Sequence, residues 1–197
     1  MEFTAKDVAK LREITGAGFA DCKGALTSAG SFDEAVKLIE QKGQARAEKV
    51  KSQERETREG VVESYIHHGG NLGVLLELNC STDFVARSDE FKKLARELVL
   101  QIAGTNPKYT SLDEVPGVAQ AREELMKDAD VQKRPEHLRE QIVEGKILKQ
   151  FGDQALLSQP WVKDEDVRVG KLVDDVIRKT GENIVVRRFA RFALGED

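Results

Sequence analysis

Asp83 and Phe84 stand side by side in the segment Glu77-Leu78-Asn79-Cys80-Ser81-Thr82-Asp83-Phe84-Val85-Ala86-Arg87. A carboxylate can accept hydrogen bonds, and a phenyl ring beside it can fill an apolar crevice. A hydrophobic strand pattern enters the segment and an amphipathic helix pattern leaves it. The pair is therefore carried on a connection between two rigid elements, where binding groups are commonly placed. A surface connection has little use for a phenylalanine of its own, so the simplest physical reading is a wedge that fits another molecule. Spacing alone leaves two alternatives open: Asp83 caps the next turn and Phe84 folds back on the core, or both serve a partner.

The remaining reactive residue types form no comparable constellation. Cys80, His137 and Asp83 have the types of a nucleophilic arrangement, but nothing beyond type supports it. His67 and His68 are adjacent on a strand pattern and point to opposite faces, which makes a shared metal difficult. Gly16-Ala17-Gly18 follows a helix pattern and lacks the third glycine and the Lys-Ser/Thr of phosphate-binding fingerprints; a helix-helix turn is expected there. Arg187, Arg188 and Arg191 make the last strand basic. They serve either as a charged edge that resists aggregation or as a contact with an acidic partner or RNA. No catalytic residue, metal ligand or cofactor is expected.

The elements that position these groups follow from periodicity and punctuation. Thr4-Ala5-Lys6-Asp7 resembles a capping box and opens a helix with Val8, Leu11 and Ile14 inward. After the Gly16-Ala17-Gly18 break, Phe19, Cys22, Leu26 and Ala29 mark a second helix. Ser31 caps a third, with Val36 and Ile39 inward and Gly43 as its stop. Arg46 to Glu59 is a charged linker. Residues 62–68 alternate as a strand, Gly69-Gly70-Asn71 makes a hairpin turn, and Leu72, Val74, Leu76, Leu78 and Cys80 share one face of the next strand. Ser88 caps a helix with Phe91, Leu94, Leu98 and Ile102 inward, ended by Gly104 and Pro107. A helix is expected over 118–129. Another follows Pro135, with Leu138, Ile142 and Leu148 as its apolar residues. Gln159-Pro160-Trp161 reads as a loop. Val169, Leu172, Val173, Val176 and Ile177 define a last helix closed by Gly181, before a strand from Ile184 to Phe192.

The expected fold class is α+β: three N-terminal helices (1–45), the linker (46–59), and a core with a small antiparallel sheet covered by helices (60–197). The 197 residues carry 31 Lys and Arg against 35 Asp and Glu, a net charge of -4. That balance disfavours nonspecific nucleic-acid binding, which draws on basic surfaces. Two cysteines, Cys22 and Cys80, form no C-x-x-C pair and suit a reducing compartment as small buried hydrophobes. The first residues carry acids where a signal peptide has bases, and no apolar run approaches a membrane span, so a cytoplasmic protein is expected.

Two stretches resemble the elongation factor Ts family. One is Leu11-Arg12-Glu13-Ile14-Thr15-Gly16-Ala17-Gly18-Phe19 with Asp21-Cys22-Lys23 and Ala25-Leu26. The other is the segment from Glu77 to Arg87, where Ser81 stands in place of the usual Gln or Glu. The resemblance implies a guanine nucleotide exchange factor for elongation factor Tu. It implies a helical module similar to the ubiquitin-associated fold that docks on the GTPase domain, and an α/β dimerisation domain; the helix face around Arg12 and Phe19 is the candidate for a second anchor on that partner. The family's magnesium-displacing segment maps onto Thr82, Asp83, Phe84 and Val85. Longer members carry two related core subdomains and this chain carries one, which implies a homodimer. The alternative is a binding-only or chaperone-like adaptor of the translation machinery.

Overall fold

The computed structural model describes residues 3–52 and 56–196. Three N-terminal helices, α1 (Ala5–Thr15), α2 (Phe19–Ser28) and α3 (Phe32–Ser52), pack on one another around Val8, Leu11, Cys22, Ala25, Leu26, Ala35 and Ile39. Their ends are set as the residue types demand. The backbone N–H of Thr4 donates to Asp7 at 2.7 Å, and Gly16 closes α1 in the left-handed conformation at φ 67. Ser31 accepts from the Glu34 N–H at 3.2 Å while Glu34 reaches back to the Gly30 N–H at 2.8 Å.

A three-stranded antiparallel sheet forms the second body, ordered β1 (Glu59–Ile66), β2 (Leu72–Cys80), β5 (Ile184–Ala193). The expected hairpin joins β1 to β2, with Ile66 opposite Gly73. Leu76, Leu78 and Cys80 of β2 are wholly buried. They face α5 (Asp89–Thr105) and α9 (Val169–Thr180), whose Phe91, Leu98, Ile102, Val169 and Ile177 are buried with them. This is the one-sided burial that period-two patterning predicts.

Between α5 and α9 the chain builds a smaller helical lobe from α6 (Val118–Lys127), α7 (Ala129–Gln132) and α8 (Glu136–Phe151). It has its own cluster, including Val115, Val118, Val131, Val143 and Ile147.

Several expectations need correction. α3 does not stop at Gly43 but continues to Ser52. Glycine is not serving there as a terminator: a Cβ at that position would lie 2.0 Å from Cδ of Arg178. Of the linker span, residues 53–55 lie outside the described residues. Ile14 is 58% exposed, not inward. In α8 Ile142 packs on the lobe's cluster as expected, but the buried residues are Val143 and Ile147, and Leu138 is exposed. α5 ends at Asn106, which takes the left-handed cap at φ 48 in place of Gly104. Pro160–Trp161 is a short strand, β3, paired with β4 (Asp164–Arg168). Two residues of strand carry no periodicity to detect.

Candidate functional site

β2 ends at Cys80 on the core, and the next helix, α4 (Asp83–Arg87), begins three residues later. The turn between them is fixed at several points. Thr82 is the N-cap of α4, its hydroxyl accepting from the Val85 N–H at 3.4 Å and its carbonyl from the Ala86 N–H at 3.2 Å. The Cys80 thiol donates to the Thr82 carbonyl at 3.2 Å. On the far side of α4, Ser88 caps α5, accepting from the Phe91 N–H at 3.3 Å. Two N-caps six residues apart thus force the chain through one short helical turn before α5 begins.

That turn sorts its side chains sharply. Val85 and Ala86 are buried in the core cluster. Phe84 projects the other way and is 83% exposed, the highest exposure among the large apolar side chains described. An exposed ring on a turn held this firmly is not a fraying end, because its neighbours on both sides are packed. The alternative in which Phe84 folds back on its own core is not what the structure has. Asp83 is half-exposed and pairs with Arg87 at 3.1 Å, one helical turn on. The spacing of four between Asp83 and Arg87 is visible in sequence, but spacing alone does not show that the two groups meet.

Cys80 is not available as a nucleophile. Burial pushes its thiol up to about 11, and the carboxylates of Glu182 and Glu59 push in the same direction. With Cys80 wholly buried and His137 on α8 in the other lobe, the Cys80, His137 and Asp83 arrangement does not form. Among the described residues, no group of three or more His, Cys, Asp or Glu could hold a metal ion, and no helix is long and apolar enough to cross a membrane. His67 accepts or donates a 2.7 Å hydrogen bond with the Tyr65 hydroxyl near the hairpin. In the basic strand, Arg188 pairs with Glu77 at 2.6 Å and Arg191 pairs with Glu196, so two of the three arginines are matched within the chain.

The second candidate surface is on the helical module. Arg12 and Phe19 are both exposed, Phe19 at 57%, on either side of the Gly16-Ala17-Gly18 turn, with exposed Ile14 beside them. The last turn of α9 lies against this module: Arg178 passes Gly43 of α3, and a Cβ at Gly16 would meet Lys179 Cε at 3.3 Å. Immediately beyond that turn, Glu182 grips Thr82 with both carboxylate oxygens, from the Thr82 N–H at 3.0 Å and from its hydroxyl at 2.7 Å. The chain around the C-terminal end of α9 therefore meets both the helical module and the base of the Phe84 turn. Glu182 carries no sequence signal, since its partner is 100 residues away.

The sequence profile described as Elongation factor TS matches residues 4–196. The chain is 45% identical over 198 residues to elongation factor Ts of Thermotoga neapolitana, covering 100% of both chains. It is 46% identical over 196 residues to that of Desulfosudis oleivorans, covering 98% of each. A third relative, elongation factor Ts of Herpetosiphon aurantiacus, is 46% identical over 200 residues, again 100% of both. With a match that runs through both the helical module and the sheet domain, this chain belongs to the elongation factor Ts family.

Proposed function

We propose that the Phe84 tip is the part of this chain that disturbs the magnesium site of elongation factor Tu and so releases GDP. As a family member the chain is a nucleotide exchange factor of translation elongation, not an enzyme. The observation that carries the reading is a phenyl ring 83% exposed on a turn whose flanking residues are capped and buried. A GTPase holds GDP through backbone amides and a magnesium ion that bridges phosphate oxygens. A factor that binds the empty state better than the loaded one must be weakened by nucleotide to the same extent that it weakens nucleotide. It needs no nucleotide pocket of its own.

Phe84 wedges beside the metal-binding region and displaces backbone there. Asp83 brings a carboxylate to the same place, tethered by Arg87 until the partner arrives. Val85 anchors the turn from below, and Thr82 caps it. Burying one phenylalanine is worth roughly 1.5–3 kcal/mol, which at about 1.4 kcal/mol per tenfold is on the order of ten- to a hundredfold in release. Larger acceleration draws on the rest of the interface, for which Arg12 and Phe19 form the second anchor. The partner is thus elongation factor Tu, the setting the cytoplasm, and no direct nucleic-acid contact is required.

The chain acts as a homodimer. Among the described residues its sheet is covered by helices on one face only, and the opposite face exposes Val62 at 72%, Ile66 at 67%, Leu75 at 50% and Phe192 at 72%. A second copy of the same face is the self-complementary way to cover it.

The deciding experiment is release of labelled GDP from purified elongation factor Tu. Wild-type chain accelerates it, and Phe84→Ala at saturating concentration loses most of the acceleration. Unchanged release by that variant would remove the wedge. Complex formation without any effect of wild type on release would instead favour the adaptor reading.

A further inference from the structure

We infer that Glu182 is a positioning residue for exchange, holding the Phe84 turn in its working geometry from the opposite end of the sequence. The inference rests on the reading of Phe84 given above and extends it to a residue outside the segment.

Glu182 is placed by its own neighbours. Gly181 closes α9 in the left-handed conformation at φ 73, its N–H donating to the Ile177 carbonyl at 2.7 Å. The Glu182 N–H donates to the Thr180 hydroxyl at 3.3 Å. Two residues later Ile184 enters β5 opposite Cys80. The chain is thus held on both sides of Glu182, and its side chain lies across from the residues that leave β2. Both its oxygens are used, and both on Thr82: one takes the backbone N–H at 3.0 Å, the other the hydroxyl at 2.7 Å. The Thr82 hydroxyl donates to Glu182 while accepting from the Val85 N–H, so the carboxylate fixes the rotamer that performs the cap. Hydrogen bonds to a charged acceptor are shorter and stronger than neutral ones. Without them, the threonine at the base of α4 is free to turn, and the ring two residues on loses its fixed direction. A wedge that must be ordered on docking gives up part of its binding energy to that ordering.

The test is a double-mutant cycle on GDP release from elongation factor Tu, with Glu182→Ala, Phe84→Ala and the pair. Glu182→Ala removes both bonds to Thr82; since one charge-assisted bond corresponds to roughly a tenfold change, the variant is expected to slow release at saturating factor by about tenfold or more, bounded by the loss in Phe84→Ala. The pair is expected to be no slower than Phe84→Ala alone, because Glu182 acts only through the ring's placement. Glu182→Gln retains one acceptor and should recover part of the rate. Release by Glu182→Ala within about twofold of wild type, or losses that add in the pair, would overturn the role of Glu182 and leave the wedge standing. Unchanged release by Phe84→Ala would remove the wedge itself, and the support role with it. Should Glu182→Ala unfold, as judged by thermal melting, the cycle is run with Glu182→Gln: a smaller slowing that disappears in the Phe84→Ala background supports the role, and release equal to wild type, or a slowing that persists in that background, overturns it.

Discussion

Arg178 lies across Gly43, so close that a single added methyl at Gly43 would stand 2.0 Å from the Arg178 Cδ. The arginine cannot simply swing away, because its guanidinium is held by Asp175 at 2.6 Å and its side chain is largely covered. A glycine in the middle of α3 costs about 1 kcal/mol of helix propensity relative to alanine. The seat for Arg178 accounts for its presence.

Gly43→Ala therefore sets two effects against each other. Taken alone, α3 gains helix propensity; at the contact with α9, the module is pushed off its seat. The expected outcome is weaker binding to elongation factor Tu with little change in melting of the sheet domain. Arg178→Ala, which makes room, should partly restore binding in the Gly43→Ala background. Titration calorimetry on the three variants checks this; tighter binding by Gly43→Ala would show that the contact does not matter.

On the proposed reading, two phenylalanines seven residues apart should separate stability from exchange. Phe91 is wholly buried and Phe84 is 83% exposed. Phe91→Ala should lower stability by about 3–5 kcal/mol through lost burial and a cavity. Phe84→Ala should leave it within about 0.5 kcal/mol of wild type. Urea unfolding measures both. A large destabilisation in Phe84→Ala would mean that the ring serves its own fold.

Much of this division was legible before the structure. Period two along β2, the Ser88 cap and the stripe from Phe91 to Ile102 are local signals, and each stands as the pattern implied. The direction of Phe84 was not legible, because it depends on where Val85 and Ala86 find the core. Neither was Glu182, whose meaning comes from a partner across the sheet end, nor Gly43, which has the same appearance in sequence whether it ends a helix or admits a side chain. Leu138 misled because its spacing of four from Ile142 does not announce where along α8 the lobe's cluster ends.

The thiol of Cys80 gives a chemical readout of the turn. Burial raises it to about 11, so at pH 8 the thiolate fraction is on the order of one in a thousand. Together with enclosure, this should make Cys80 unreactive toward a thiol reagent in the native protein and reactive once it unfolds. Glu182→Ala both loosens the turn and removes a carboxylate that raises the thiol, so it should speed labelling of Cys80 and leave Cys22, in the helical module, unchanged. Mass-resolved labelling over time distinguishes the two sites.

Acid should weaken the β2–β5 pairing at one identifiable point. The Arg188 side chain, which donates to Glu77, holds that carboxyl below its ordinary range, helped by Asn79. A carboxyl with a depressed folded-state value contributes stability that is present above its unfolded value and is lost as pH falls through the folded one. The melting temperatures of wild type and Arg188→Ala should therefore differ slightly at neutral pH and converge once the pH falls well below the ordinary glutamate value of about 4.3. The difference is small because Arg188 is largely exposed. A difference that persists unchanged in acid would assign the arginine's contribution to packing.

The open face of the sheet bears on assembly. Ile66, Gly73 and Phe192 form one cross-strand row, and Ser64, Leu75 and Ala190 form the next. Gly73 lies between two large apolar side chains and leaves a shallow trough, into which Ile66 leans: a Cβ on Gly73 would meet its Cδ1 at 3.0 Å. A ridge flanking a trough can mate with its own copy turned by a two-fold axis, and the low charge of these rows puts little electrostatic cost on that pairing. Light scattering on the purified chain should give twice the chain mass at micromolar concentration. Phe192→Asp should shift it to the monomer by placing a carboxylate in the contact, whereas Phe84→Ala should leave the mass unchanged. If the monomeric variant still accelerates GDP release per chain as wild type does, each Phe84 turn works independently and the dimer only pairs them. If wild type is itself a monomer, the exposed rows belong to some other contact and the second copy is not what covers them.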